Sequence, residues 1–193
     1  LVFILIFAFF AVFNKSVGKY GVKKTFISAI LMTGVGFLLT FFMGWTLSSS
    51  IVGFILIGIG YSGFMLLNQV VIADIVDYDE VRTGKRRETT YSGINALITK
   101  PAISVANWLF LVIIDAFRFD AEQSIQNFPA QYGIMLGFAL IPSIFLIIGA
   151  IAMSSYTLEG PKWLLQKEEI IQIHAKKEQA YLKRIEEVES SEK

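Results

Sequence analysis

Between Lys24 and Asp74 the chain runs for 49 residues, Thr25 to Ala73, without a single Asp, Glu, Lys or Arg. A second charge-free run, Gln123 to Leu158, is 36 residues long. One helical crossing of lipid needs only about 20 apolar residues. These runs therefore point to an integral, multi-pass membrane chain, and composition agrees. Of the 193 residues 54% are hydrophobic and 17% charged, where soluble domains carry about 25% charged residues. A net charge of +1 gives no basic excess for nucleic acid. The absence of cysteine excludes disulfides, thiolate nucleophiles and Cys-ligated metals.

Backbone groups in lipid must bond within their own segment, so apolar runs of this length are read as helices. The polar break Thr46 to Ser50 divides the longer run. The expected spans are residues 1–13, 26–45, 51–76, 89–115 and 132–156, which form a transmembrane bundle over 1–158. The run 1–13 is too short to cross alone and reads as the end of a helix that begins earlier, so a part of a longer protein is expected. Residues 159–193 form a tail with apolar and charged positions alternating at helical spacing, an amphipathic helix in expectation. His174, the one histidine, lies in this tail without a companion ligand and reads as a surface residue.

Basic residues are retained on the cytoplasmic side of membrane proteins. Of 17 Lys and Arg, 15 fall in the first loop, the third loop and the tail, which predicts all three to be cytoplasmic. Glycines at 34, 36, 53, 58, 60 and 63 predict close helix packing. Pro101 and Pro142 each remove a backbone donor inside a span and predict local loosening.

Two features carry chemistry. Lys100 lies about 11 residues inside its span, roughly 17 Å deep in a core about 30 Å thick. An ammonium group there costs on the order of 2.5–3.5 kcal/mol, so it must face protein or water, and such residues are functional by default. Asp115 is about 22 Å away along the same helix, and Asp74 and Asp77 are on another, so the counter-charge is expected from helices outside this chain. The second feature is the run from Asp74 to Glu88, where Asp74, Asp77 and Glu80 precede Arg82, Gly84, Arg86, Arg87 and Glu88. An acidic helix face of this kind repels itself unless basic groups meet it, which the retention of basic residues alone does not explain. Tyr61, Asn68 and Gln69, polar positions in the third span, are candidate cavity-lining residues.

The pattern D-x-x-D-x-x-E-x-R-T-G-x-R-R-E, with Lys100 twelve residues after its last Glu, closely resembles the glycoside-pentoside-hexuronide:cation symporter family of the major facilitator superfamily. The resemblance implies an all-α membrane fold, with this chain covering the end of the eighth helix through the twelfth of a twelve-helix carrier. It implies that Lys100 lies beside cation-binding carboxylates of the amino-terminal half. Asp77, Glu80 and Arg86 match loop positions of ionic contact between the halves, so the resemblance implies a candidate cytoplasmic gate of Asp74, Asp77, Glu80, Arg82, Arg86, Arg87 and Glu88. The expected function is cation-coupled symport of a sugar or related small solute in the cell membrane. The coupling cation, Na⁺, Li⁺ or H⁺, would be bound mainly by the absent half, and no other cofactor or metal is expected within this chain. Expected partners are solute, cation, membrane lipid and the amino-terminal half. Alternatives are a carrier of another solute, such as a lipid, and a non-transporting membrane scaffold. An intramembrane enzyme finds no support: there is no H-E-x-x-H, no mid-span aspartate pair and no serine with a histidine base in a span.

Overall fold

A computed structural model describes residues 2–191. Leu1, where the first expected span begins, and Glu192 and Lys193 at the end of the tail lie outside the described residues. The chain folds as helices: α1 (Val2–Tyr20), α2 (Val22–Met43), α3 (Leu47–Thr83), α4 (Glu88–Ala116), α5 (Phe128–Met135), α6 (Ile141–Met153) and α7 (Pro161–Ser191). No strand occurs among the described residues. Five helical segments are long and apolar enough to cross a membrane: α1, α2, α3, α4 and the continuous run Phe128–Met153.

Local chemistry explains the breaks. Gly21, at φ 84°, is the whole connection between α1 and α2, so Lys15 and Lys19 are helical instead of lying in a loop. Thr46 caps α3 through a reciprocal pair with Ser49, which converts the polar break into a tight turn. At 37 residues, α3 is about 55 Å long. It therefore continues past Val76 and carries its acidic turns beyond a core about 30 Å thick. Gly84 closes it in the left-handed conformation, φ 67°, and its N–H donates to the Glu80 carbonyl at 2.8 Å. Pro101 sits within an unbroken α4. Pro142 behaves differently: the wide turn Leu136–Leu140 directly precedes it and joins α5 to α6. Proline cannot donate to the carbonyl four residues back, and a widened turn absorbs that loss.

Lipid tails are as apolar as leucine, so packing of small residues, not water exclusion, brings membrane helices together. The glycines carry that packing between α2 and α3. A Cβ at Gly36 would come within 2.7 Å of the Ile57 nitrogen, and one at Gly60 within 2.6 Å of the Thr33 nitrogen. Phe26, Ile30, Leu67 and Ala150 form the core where α2, α3 and α6 meet. On the other side of α3, the buried Ser62 hydroxyl donates to the Ile6 carbonyl of α1 at 2.7 Å. α4 has no buried residue. It meets the wide-turn helix near its far end, where Gly133 abuts Phe117 and Gly137 abuts Phe110, and leaves Leu97, Ile98 and Ile103 exposed.

The segments rich in lysine and arginine gather at one end of the bundle. Lys23 lies 3.9 Å from Glu159, and α7 reaches the end of α3, where Trp163 is buried with its ring edge-on to Tyr78, 6.2 Å between centroids.

Candidate functional site

The last turns of α3 place Asp74, Asp77, Asp79 and Glu80 at a helix C-terminus, where the macrodipole is already negative. Such a concentration of carboxylates requires cations. Two segments provide them, the loop folded back by Gly84 and the amphipathic α7.

From the loop, Arg86 Nη1 donates to Asp77 Oδ1 at 3.1 Å and to Glu80 Oε2 at 3.2 Å, while its Nε donates to Glu88 at 3.2 Å. Burial works against the Arg86 charge, but its bonds to Glu80, Glu88 and Asp77 outweigh that and hold its pKa above the ordinary arginine value. Arg87 grips Asp79 with two donors, at 2.6 and 2.8 Å. That fork, with the attraction of Asp79, likewise raises the Arg87 pKa. Both guanidinium groups are therefore permanent cations.

From α7, Lys167 pairs with Asp74 Oδ1 and Lys177 Nζ donates to Glu80 Oε1 at 3.1 Å. His174 Nε2 lies 2.9 Å from Glu80 Oε2, so the histidine read from sequence as a lone surface residue joins the cluster. The reason is helical spacing: residues 167, 174 and 177 are seven and three apart and share one face. Tyr156, between α6 and α7, donates its hydroxyl to Asp74 Oδ2 at 2.7 Å. Burial pushes the Tyr156 pKa far above the usual tyrosine value and the bond to Asp74 adds to the effect, so the phenol remains a donor. Asp74 and Glu80 are 1% and 5% exposed, which makes saturation of their oxygens a condition of stability.

Of the sequence-derived gate residues, Asp74, Asp77, Glu80, Arg86, Arg87 and Glu88 come together. Arg82 bonds no carboxylate among the described residues; it lies over the Tyr78 ring, 5.5 Å from its centroid. Asp79, Tyr156, Lys167, His174 and Lys177 complete the cluster and were outside the sequence-derived set.

Lys100 stands apart. It is exposed on α4, about 18 Å along the helix from Glu88, and its ammonium has no hydrogen bond or ion pair among the described residues. Tyr61 stacks on Phe64 with centroids 5.7 Å apart. Asn68 is half-buried and Gln69 exposed, and no network joins these three among the described residues. There too, no group of three or more His, Asp or Glu is placed to hold a metal ion.

Comparison with known proteins places these features in a family. Residues 1–160 match the family described as MFS/sugar transport protein. Over 162 residues the chain is 26% identical to the glucuronide carrier protein homolog of Escherichia coli K12, covering 83% of this chain and 35% of that protein. Over 106 residues it is 30% identical to an uncharacterized symporter of Synechocystis sp., covering 52% of this chain and 20% of that protein. The chain thus spans about a third or less of the length of these relatives. No solved structure matches significantly. The helical architecture, the matched family and the symporter relative agree with the resemblance read from the loop motif and Lys100. The chain is an integral membrane segment that belongs to the MFS/sugar transport protein family, a family of transporters and not of enzymes.

Proposed function

We propose that this chain is the carboxy-terminal part of a secondary carrier that couples entry of a sugar or related small solute to a cation, Na⁺, Li⁺ or H⁺, by alternating access. The charged end of α3, the α1–α2 junction and α7 face the cytoplasm of a cell membrane in this reading, following the distribution of basic residues. The observation that carries it is Lys100, a cation well inside an apolar helix, exposed and without a partner among the described residues. The cost of leaving it so in lipid requires further helices against the open face of α4, with carboxylates that meet the ammonium. In a cation-coupled carrier those carboxylates bind the ion, and Lys100 neutralises them when the ion is absent. The names of the relatives, a glucuronide carrier homolog and a symporter, support the same class of activity.

The test is Lys100→Gln in the full-length parent. Normal insertion with loss of cation-driven solute uptake is expected. Lys100→Arg should not restore full uptake, because a planar fork does not replace a compact point charge. Normal coupled uptake by Lys100→Gln would remove the residue from the mechanism. A fall in folded protein in step with uptake would make Lys100 a structural pair.

A further inference from the structure

Glu80 and Asp74 are the two carboxylates of the cluster most withdrawn from solvent, and their partners lie within this chain. Glu80 Oε2 receives Arg86 and sits against His174, while Oε1 receives Lys177. Asp74 receives Tyr156 on one oxygen and Lys167 on the other. At 5% and 1% exposure, neither offers room for a cation arriving from another part of the carrier. Three of these five partners are on α7.

α7 itself is held lightly. Along its described side chains only Trp163 and Ile170 are buried, while Leu164, Leu165, Ile171, Tyr181 and Leu182 stay exposed. Its polar grips are spaced to match α3. Asp74 and Glu80 are about 9 Å apart along their helix, and Lys167 and His174 about 10.5 Å apart along theirs. Beside the Glu80 grip, Glu80, Val81 and Gly84 face Glu169, Ile170 and Ile173 across a small cavity. The contact is thus matched in charge and register yet incompletely packed, the combination expected of a detachable element.

We propose that α7 is a strap whose docking on Asp74 and Glu80 excludes any other cation from those carboxylates, and that the strap must release during each transport cycle. Docked, α7 leaves Asp77, bonded to Arg86 and 23% exposed on its side chain, as the most exposed of the four carboxylates at the end of α3. Released, it frees Asp74 and Glu80 to pair across the carrier and close that side. The transport consequence rests on the carrier reading above; the docking of α7 does not.

Two experiments in the full-length parent test it. First, His174→Ala with Lys177→Ala should speed amide hydrogen exchange across residues 161–191 by about tenfold or more, while His174→Lys with Lys177→Arg, which places a cation at each of the two positions, should leave it near the parent rate or slow it. Unchanged exchange in the alanine pair would overturn the anchoring, whether or not the parent carries solute. Second, Val81→Cys with Ile173→Cys places two thiols on the same cavity, where a reducible bifunctional reagent can bridge them. The bridge should lower solute uptake by about tenfold or more, and reductant should restore it. Full uptake with the strap bridged would overturn the release step. A parent that carries no solute at all would instead defeat the carrier reading, and the exchange experiment would still decide whether α7 is anchored as described.

Discussion

At the scale of one residue, the hydroxyl of Tyr156 shows how a buried charge is made tolerable. Asp74 is 1% exposed and accepts from this phenol and from Lys167. Tyr156→Phe keeps the ring and removes the donor, so it should destabilise the protein by about 1.5–3 kcal/mol, the worth of a hydrogen bond to a charged group. Thermal unfolding in detergent reads this directly, and an unchanged midpoint would mean that water replaces the phenol. The raised Tyr156 pKa adds a pH signature. The folded state keeps the proton that the unfolded chain releases near the ordinary tyrosine pKa of about 10. Stability from this contact is therefore present below that pH and declines as pH rises above it. The parent should lose stability above about pH 10 more steeply than Tyr156→Phe, and parallel profiles would contradict the assignment. Asp74, Asp77 and Glu80 were legible because acidic residues repeating along one helix end demand an explanation, whereas Asp79 was not singled out. Tyr156 was not, since nothing in its neighbourhood announces a partner 82 residues away.

At the scale of an element, glycine separates the helices that touch from those that do not. A Cβ at Gly60 would overlap the backbone of α2 at Thr33 and Ala29, whereas one at Gly149 meets nothing within 4 Å. Gly60→Ala should force α2 and α3 apart at a cost of about 1–3 kcal/mol. Gly149→Ala should be neutral or slightly favourable, because glycine is the poorer helix former. The amount of folded protein recovered from the membrane compares the two, and equal yields would refute the close packing. Gly60 was among the glycines read from sequence as packing positions and Gly149 was not; the close approach of α2 to Gly60 gives that difference its physical reason. Pro101 and Pro142 also differ. Each removes one donor, yet the widened turn forms only beside Pro142.

For the whole molecule, the open face of α4 and the partial coverage of its relatives lead to one expectation. Alternating access moves two helical bundles about a shared site, and this chain spans 35% of the glucuronide carrier homolog that it matches. The purified 193-residue chain in liposomes should therefore accumulate no solute against its gradient, whether that solute is a sugar, an acid or a lipid. Accumulation by this chain alone would show that α4 and Lys100 need no further helices and would end the half-carrier reading.

Length and polarity along the chain were enough to determine the class of fold, the number of apolar helices and the segregation of basic residues. Those properties depend on transfer of each segment between water and lipid, which is a sum over neighbours in sequence. The position of Lys100 within α4 was equally a matter of counting residues. Tertiary structure alone decided that His174 lies against Glu80, that Arg82 turns to Tyr78 while Arg86 and Arg87 take the carboxylates, and that α4 stays uncovered. The His174 contact, across 94 residues, and the open face of α4 depend on which helix faces which, while the choice among the arginines depends on how Gly84 folds the loop back onto the end of α3. The period of α7 placed Lys167, His174 and Lys177 on one face. The folded end of α3 then brought buried carboxylates to that face, and an unpaired charge costs more there than the ordering of a helix to meet it.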